Sequence, residues 1–385
     1  MKVFLDGKSP NLYNPPQSHG SLINLISTSS GSHSISSNIG GLSRGENLSP
    51  LDNPPIFEDI ECEPELIDIK FISEPWDCGG LYKLGDFPSK NTFTWNGHFR
   101  DDLRRFWKGD KDTAWNMSDK IKGTPSIYKE DNIFPKSINF ITSHDGFTLK
   151  DLVTFNRKHN FANREQNRDG DNHNNSWNHG TEGPTTNLLI NDLRKRQQKN
   201  LILSLLISKG VPMILMGDEI GRSQGGNNNS WCQNNLLGWM NWEHGQQDLE
   251  LLEYFKYVIK IRKKLINIFN PSFFPNNQTN KNIPTYHWHG TKLDNPDWSS
   301  WSHTVAFSIN KGITNPLVWI GLNAYSKSID FPLPKCKYNW LKVIDTSTSE
   351  IFEPLTINEK SVSIKSRSSL LIISEEVFGA KNNLF

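Results

Sequence analysis

Phe71-Ile72-Ser73-Glu74-Pro75-Trp76-Asp77 is a short apolar run that ends abruptly in acidic residues, and Phe140-Ile141-Thr142-Ser143-His144-Asp145 repeats the pattern further along. A buried parallel strand that delivers a carboxylate at its C-terminal tip reads this way. Two such tips on one rim suit acid-assisted cleavage of a glycosidic bond. That reaction needs a positioned carboxylic acid to protonate the leaving oxygen. It also needs negative charge and hydroxyl clamps around an oxocarbenium-like transition state.

Outward from these tips, residues 69–74, 92–96, 137–143 and 211–216 read as four strands. Helical spacing appears at 101–107, 149–156 and 191–209, the last closed by Gly210. Strands alternating with helices, with acids at the strand ends, predict an α/β chain with (β/α) units. Only four such strands are visible, where a closed barrel has eight. After a helix at about 247–267 the period changes to two. Runs at 286–289, 305–309, 317–320, 340–344 and 370–373 predict an antiparallel β-sandwich from about residue 284 to the end. Residues 18–43 are rich in Ser, Gly and Asn and hold no aromatic or acidic residue, so 1–42 is expected to be a disordered or atypical N-terminal segment. The absence of arginine before Arg44 speaks against a transit peptide, and residues 1–7 lack the apolar core of a secretory signal. The expected organisation is therefore 1–42, 43–283 and 284–385.

Bulk properties exclude several classes. A chain of 385 residues with net charge +1 has neither a nucleic-acid footprint nor a membrane-surface bias. The apolar run 201–207 is far too short to span a bilayer. Cys62, Cys78, Cys232 and Cys336 form no ligand-spaced pair and no disulfide framework, which favours a reducing, cytoplasmic setting. Most of the thirteen tryptophans serve packing, with stacking on sugar rings a use for some.

Glu74 reads either as a general acid whose proton is retained in an apolar, aromatic surround that includes Trp76, or as a strand-end carboxylate capping a turn. The further acidic tips at Asp145 and Asp218 favour the first reading. His144 and Asp145 pair a donor with an acceptor, suited to gripping two vicinal hydroxyls of a pyranose. Asp218 and Glu219 either line the same rim or cap the turn at Gly221. The stretch 167–178 is dense in Asp and Asn oxygens, but Gly170 comes too early and no closing Glu follows for a calcium loop. An internally hydrogen-bonded loop walling a sugar groove is expected instead, with no metal and no cofactor. Trp177, and Trp231 after the run 227–229, are the sugar-stacking candidates, and Trp76 beside Glu74 is a further expected substrate contact.

From about Ser43 onward the chain resembles the C-terminal half of the isoamylases and glycogen debranching enzymes of the α-amylase superfamily. Glu-Pro-Trp-Asp-Cys-Gly-Gly-Leu-Tyr at 74–82, Trp-Asn-Gly-His-Phe-Arg-Asp-Asp at 95–102 and Phe-Ile-Thr-Ser-His-Asp-Gly-Phe-Thr-Leu at 140–149 carry the resemblance. So do Asn-Arg-Asp-Gly-Asp-Asn-His-Asn at 167–174, Gly-Val-Pro-Met at 210–213, Gly-Asp-Glu at 217–219 and Pro-Asp-Trp-Ser at 296–299. The resemblance implies a partial (β/α)8 TIM barrel, about its last four units, followed by the β-sandwich. It implies retaining hydrolysis of α-1,6 branches in glycogen, amylopectin or limit dextrin. It casts Glu74 as acid/base, Asp145 as transition-state stabiliser and His144 as a substrate contact.

One departure stands out. The family's nucleophile is an aspartate in a Gly-Phe-Arg-Phe-Asp-type strand end just upstream of the region matching Ser43. Here 34–42 reads Ser-Ile-Ser-Ser-Asn-Ile-Gly-Gly-Leu. The expectation is a truncated debranching chain, impaired alone and completed by a complementary N-terminal half-barrel chain or by a second copy of itself. The rival readings are a non-catalytic glucan-binding partner and the second piece of a split enzyme. The setting is cytoplasmic, or a plastid if the host is a plant or alga.

Overall fold

The strands that lead to the acidic tips pair in parallel. A computed structural model describes residues 51–378 apart from 68, 78–79, 90, 129–135, 244–245, 270–283, 312–314 and 349–352, together with the backbone of 23–27 and 33–38. It divides into two compact units, Met1–Gly97 with Pro125–Asn139, and His98–Thr124 with Phe140–Phe385.

The first unit opens with an antiparallel hairpin, β1 (Ile23–Ser27) and β2 (His33–Asn38). Helix α1 (Pro55–Cys62) starts with proline in its first turn, where no amide hydrogen bond is lost. Then come β3 (Lys70–Glu74), β4 (Thr92–Trp95) and β5 (Ser137–Phe140). β2 pairs in parallel with β3, β3 with β4 and β4 with β5, and Asn38 stands in register with Glu74. Of the segment 1–42, expected to be disordered or atypical, residues 23–27 and 33–38 form these two strands. The open parallel edge of β3 takes up 33–38, and that strand in turn pairs with 23–27. The rest of 1–42 lies outside the described residues, as does Cys78.

The second unit holds α2 (Gly97–Lys108), α3 (Ala114–Ile121), α4 (Leu149–Leu152), α5 (Leu188–Ile207), the short strand β6 (Val211–Met213) and α6 (Gln246–Phe269). Asn187 caps α5 by accepting from the amides of Leu189 and Ile190. Helix α4 is shorter than the pattern predicts. The Asn156 and Arg157 amides, which would extend it, donate to the Glu182 carboxylate instead.

The rest of this unit is β7 (Pro284–His289), β8 (Thr304–Lys311), β9 (Asn315–Asn323), β10 (Ile329–Pro332), β11 (Trp340–Asp345), β12 (Leu355–Ile357), β13 (Ser361–Ile364), β14 (Ser368–Ser374) and the closing turn of helix α7 (Glu375–Phe378). Six of these strands form an antiparallel sheet in the order β12-β11-β14-β9-β8-β7, and β10 pairs with β13. Period two sorts the core. Trp319, Leu370 and Ile372 join Phe331 and Ile364 of the β10–β13 pair, while Phe307, Ile320, Leu371 and Ile373 join the helices α2, α3, α5 and α6. The expected domain boundary near 283–284 is therefore not where the compact units part, because one face of the sheet is buried in the helical core.

Candidate active site

Glu74 closes β3 half-buried, and the following Pro75 restricts it to extended backbone, so the carboxylate sits at the strand tip. A small hairpin holds what comes next. Lys83 N–H donates to Pro75 O (2.7 Å), Asp77 N–H to Leu81 O (3.1 Å) and Leu81 N–H to Asp77 Oδ1 (2.8 Å). Trp76 and Tyr82 bridge this hairpin with stacked rings, centroids 5.9 Å apart at 13°. An aromatic pair thus follows the strand tip directly, and Glu74 and Trp76 both belong to the first unit.

The other predicted residues belong to the second unit. Past β5 the chain turns at Gly146, whose φ of +104° favours glycine, and its amide donates to Asn228 O (2.9 Å). His144 and Asp145 lie exposed on this turn, with Nε2 and Oδ2 3.6 Å apart. Two exposed polar groups so placed can grip neighbouring hydroxyls.

Asp218 is not at the rim. It is 3% exposed; Thr142 Oγ1 donates to its Oδ2 and Leu149 N–H to its Oδ1 (2.9 Å). Burial pushes its pKa up to about 7 against the pull of these donors. Its two bonds straddle 143–148, so it supports the His144–Asp145 turn from beneath. Three further residues, which the sequence did not single out, tie down this strand end and the loops of the second unit. Arg104 of α2 donates to Ile141 O through Nε (2.9 Å) and Nη2 (2.6 Å) and to Asn174 O (2.9 Å). Burial, with Arg100 nearby, lowers its pKa to about 9, which leaves it charged at neutral pH. Asp151, buried and with its pKa raised by desolvation, accepts from Ser223 Oγ (2.5 Å) and from the Gln224 (2.7 Å) and Gly226 (3.4 Å) amides. Lys158 is the third. Its Nζ donates to the carbonyls of Arg168 (3.1 Å), Asp169 (2.7 Å) and Gly170 (3.0 Å).

That lysine organises the Asn-rich loop, which is internally hydrogen-bonded as expected. Asn160 and Asn228 bond reciprocally (2.8 and 3.0 Å), and Asp169 Oδ2 accepts from Asn163 (2.7 Å) and Asn229 (3.0 Å). Gly170, at φ +72°, is needed because a Cβ there would fall 2.3 Å from Asn228 Oδ1. The Lys158 ammonium takes the place among carbonyls that a free cation would seek. Among the described residues, no group of three or more His, Cys, Asp or Glu side chains is gathered to hold a metal ion.

The two tryptophan candidates separate. Trp231, on a single 3-10 turn, is 83% exposed and offers its ring to solvent. Trp177 is half-buried, its ring 4.1 Å from that of His179 and 4.8 Å from the Arg367 guanidinium carbon. Its π-surface is spent on packing, which corrects its expected stacking role. His179 is buried and desolvated to a pKa of about 4, so it is neutral. Of the residues the sequence missed, Arg104 carried one signal: it sits at the edge of the buried stripe formed by Phe99, Leu103, Phe106 and Trp107. Thr142, Asp151 and Lys158 carried none, because their partners are distant in the chain.

Residues 287–376 match the family described as Isoamylase 1-3, C-terminal. Isoamylase 1, chloroplastic, of Oryza sativa subsp. japonica is 40% identical over 311 residues, covering 80% of this chain and 38% of that protein. Over four-fifths of its length the chain is thus similar to the isoamylase and glycogen-debranching group of the α-amylase family. A second member of the group, the glycogen operon protein GlgX homolog of Mycobacterium bovis, is 36% identical over 338 residues, covering 82% of this chain and 47% of that protein. The chain thus spans less than half the length of these curated relatives. Among solved structures, the pullulanase from Bacillus acidopullulyticus aligns with a TM-score of 0.56 at 17% identity, over 83% of this chain and 36% of that one. At that identity the likeness is one of fold.

Proposed function

We propose that this chain carries the acid/base and sugar-gripping part of a site that hydrolyses α-1,6 branches in glycogen, amylopectin or limit dextrin. In this reading, β3 to β6 are about the last four units of a (β/α)8 barrel and β7 to β14 its C-terminal β-sandwich. The observation that carries it is Glu74, a carboxylate closing a parallel strand just ahead of the stacked Trp76–Tyr82 pair, in a chain 40% identical to an isoamylase. Glu74 protonates the glycosidic oxygen as the bond breaks, then as a carboxylate takes a proton from the attacking water. His144 and Asp145 hold hydroxyls of the sugar, and the Asp145 charge offsets the positive charge that develops on the ring.

A retaining mechanism needs a second carboxylate about 5–5.5 Å from the first to form the glycosyl ester. Of the two strands parallel to β3, the one that precedes it in the chain is β2, whose sequence is His-Ser-Ile-Ser-Ser-Asn, and the register partner of Glu74 is Asn38. An amide does not form that ester. In this reading the nucleophile comes from a segment equivalent to the first barrel half of the relatives, outside β2 and β3. A reducing-end assay on glycogen tests this, using the purified chain with and without the N-terminal half of the rice relative. The chain alone is expected to release no chains, the mixture to debranch, and Glu74→Gln to abolish that activity. Robust debranching by the chain alone overturns the assignment of the nucleophile. Debranching that survives Glu74→Gln overturns the role of Glu74.

A further inference from the structure

In the second unit, α4, α5, α6 and the turn at 221–223 enclose a cavity of about 260 Å³, near the lower end of small-ligand pockets. None of the residues assigned above to glucan lines it.

Its wall is unevenly charged. Lys150, Arg194, Lys195 and Lys199 face it, and Glu250 is the one carboxylate among the residues lining it. Lys195 and Lys199 share that carboxylate, at 3.3 and 3.1 Å. The Arg194 guanidinium donates to the carbonyls of Thr154, Asn178, Thr181 and Gly183. These bonds satisfy its N–H groups and leave its charge unmatched by a contacting carboxylate. Lysines on one wall with a single shared counter-charge favour an anion.

A second feature points to a hydroxyl. Gln198, on the same wall, is 7% exposed, and its Oε1 is buried with no hydrogen-bond partner. Leaving a buried acceptor unpaired costs about 1–3 kcal/mol, and a turn of the Gln198 side chain toward the cavity would let an O–H group of a ligand remove that cost. Phe155 and Leu251 supply apolar surface for the body of such a ligand.

We propose that this cavity binds a sugar phosphate of about hexose size, its phosphate against the lysines and a hydroxyl donating to Gln198 Oε1. The experiment is isothermal titration calorimetry on the full chain with glucose 6-phosphate, inorganic phosphate and glucose at fixed ionic strength. Glucose 6-phosphate is expected to bind one per chain and roughly tenfold tighter than either of the other two, a difference of about 1.4 kcal/mol. Lys195→Met is expected to weaken glucose 6-phosphate and phosphate alike, at least about fivefold, about 1 kcal/mol. Gln198→Met is expected to weaken glucose 6-phosphate alone. Lys150→Glu, at an exposed position on the cavity wall, repeats the charge test should Lys195→Met fail to melt cooperatively. Equal affinity for glucose 6-phosphate and phosphate means an adventitious anion only and overturns the proposal. So does the absence of glucose 6-phosphate binding at millimolar concentration, or binding that survives Lys150→Glu and Lys195→Met unchanged. Glycogen debranching plays no part in this readout, so its failure leaves the glucan reading where it stands.

Discussion

The hairpin that follows Glu74 is tied together by residues close in sequence, whereas the tip that carries His144 and Asp145 rests on side chains drawn from across the second unit. Just past Glu74, hydrogen bonds and a stacked ring pair link residues 75 to 83. Under His144 and Asp145, Thr142 reaches Asp218 76 residues away, and Asp151 ties down Ser223, Gln224 and Gly226. Local contacts form wherever their few residues come together. A buried polar network forms only when all its members do, and one missing member strands the others without water. Substitution at the first tip is thus expected to register in chemistry, and substitution beneath the second in stability.

Glu74→Gln is the largest expected effect. In the reconstituted debranching reaction it should cost about 10²–10⁴ in rate, the contribution of a positioned general acid, while stability changes by less than about 1 kcal/mol. A comparable loss of stability would break the comparison, since Glu74 would then be part of the scaffold.

Asp151→Ala comes next. It strands the buried amides of Gln224 and Gly226 and removes the acceptor of the exposed Ser223 hydroxyl, at an expected cost of about 3 kcal/mol in denaturant unfolding. Its counterpart at the first tip is Asp77→Ala, which gives up the bond from Leu81 N–H and should cost about 1 kcal/mol. Equal losses would show that the two tips are held alike.

This contrast also explains what the sequence let one read. The strands at 70–74, 92–95 and 137–140 and the long helices were legible because each is written in a contiguous run. The period-two alternation around Trp319 and Leu371 likewise announced the antiparallel sheet, though not that one of its faces closes the helical core. Asp218 was misplaced because Gly-Asp-Glu after an apolar run looks the same whether the acid points at solvent or at a threonine from another strand end. Trp177 was misplaced for the same reason, since Arg367 lies 190 positions further on. Residues 23–27 and 33–38 read as unstructured from their serine content, yet the open edge of β3 gives them a partner that composition does not reveal.

Asp218 adds a pH test. Its pKa stands at about 7 in the folded chain against an ordinary value near 3.8, so the folded state holds the extra proton between these limits. Stability from this group is fully present at about pH 4 and is lost as pH rises toward 7, with a slope of at most about 1.4 kcal/mol per pH unit. Asp218→Asn keeps an acceptor for Leu149 N–H and presents an amide that can donate to Thr142. The difference in unfolding free energy between wild type and variant should therefore change across pH 4–7 and level off above it. A flat difference would place the carboxylate in a wetter setting than its burial indicates.

The smallest expected effect separates the two tryptophans. Trp231→Ala removes an exposed ring on a single turn of 3-10 helix, so the melting transition should stay where it is. If that ring stacks on glucan, affinity for glycogen in native gels should fall about fivefold, close to 1 kcal/mol. Trp177→Ala should do the reverse. It leaves the His179 ring and the Arg367 guanidinium without their shared partner and opens space beside the buried Leu152 and Val153. The melting temperature should drop, and retardation by glycogen, measured well below that transition, should match the wild type. Retardation lost in Trp177→Ala with its melt unchanged would mean that this ring is free to meet sugar, and that the packing around it does not hold it.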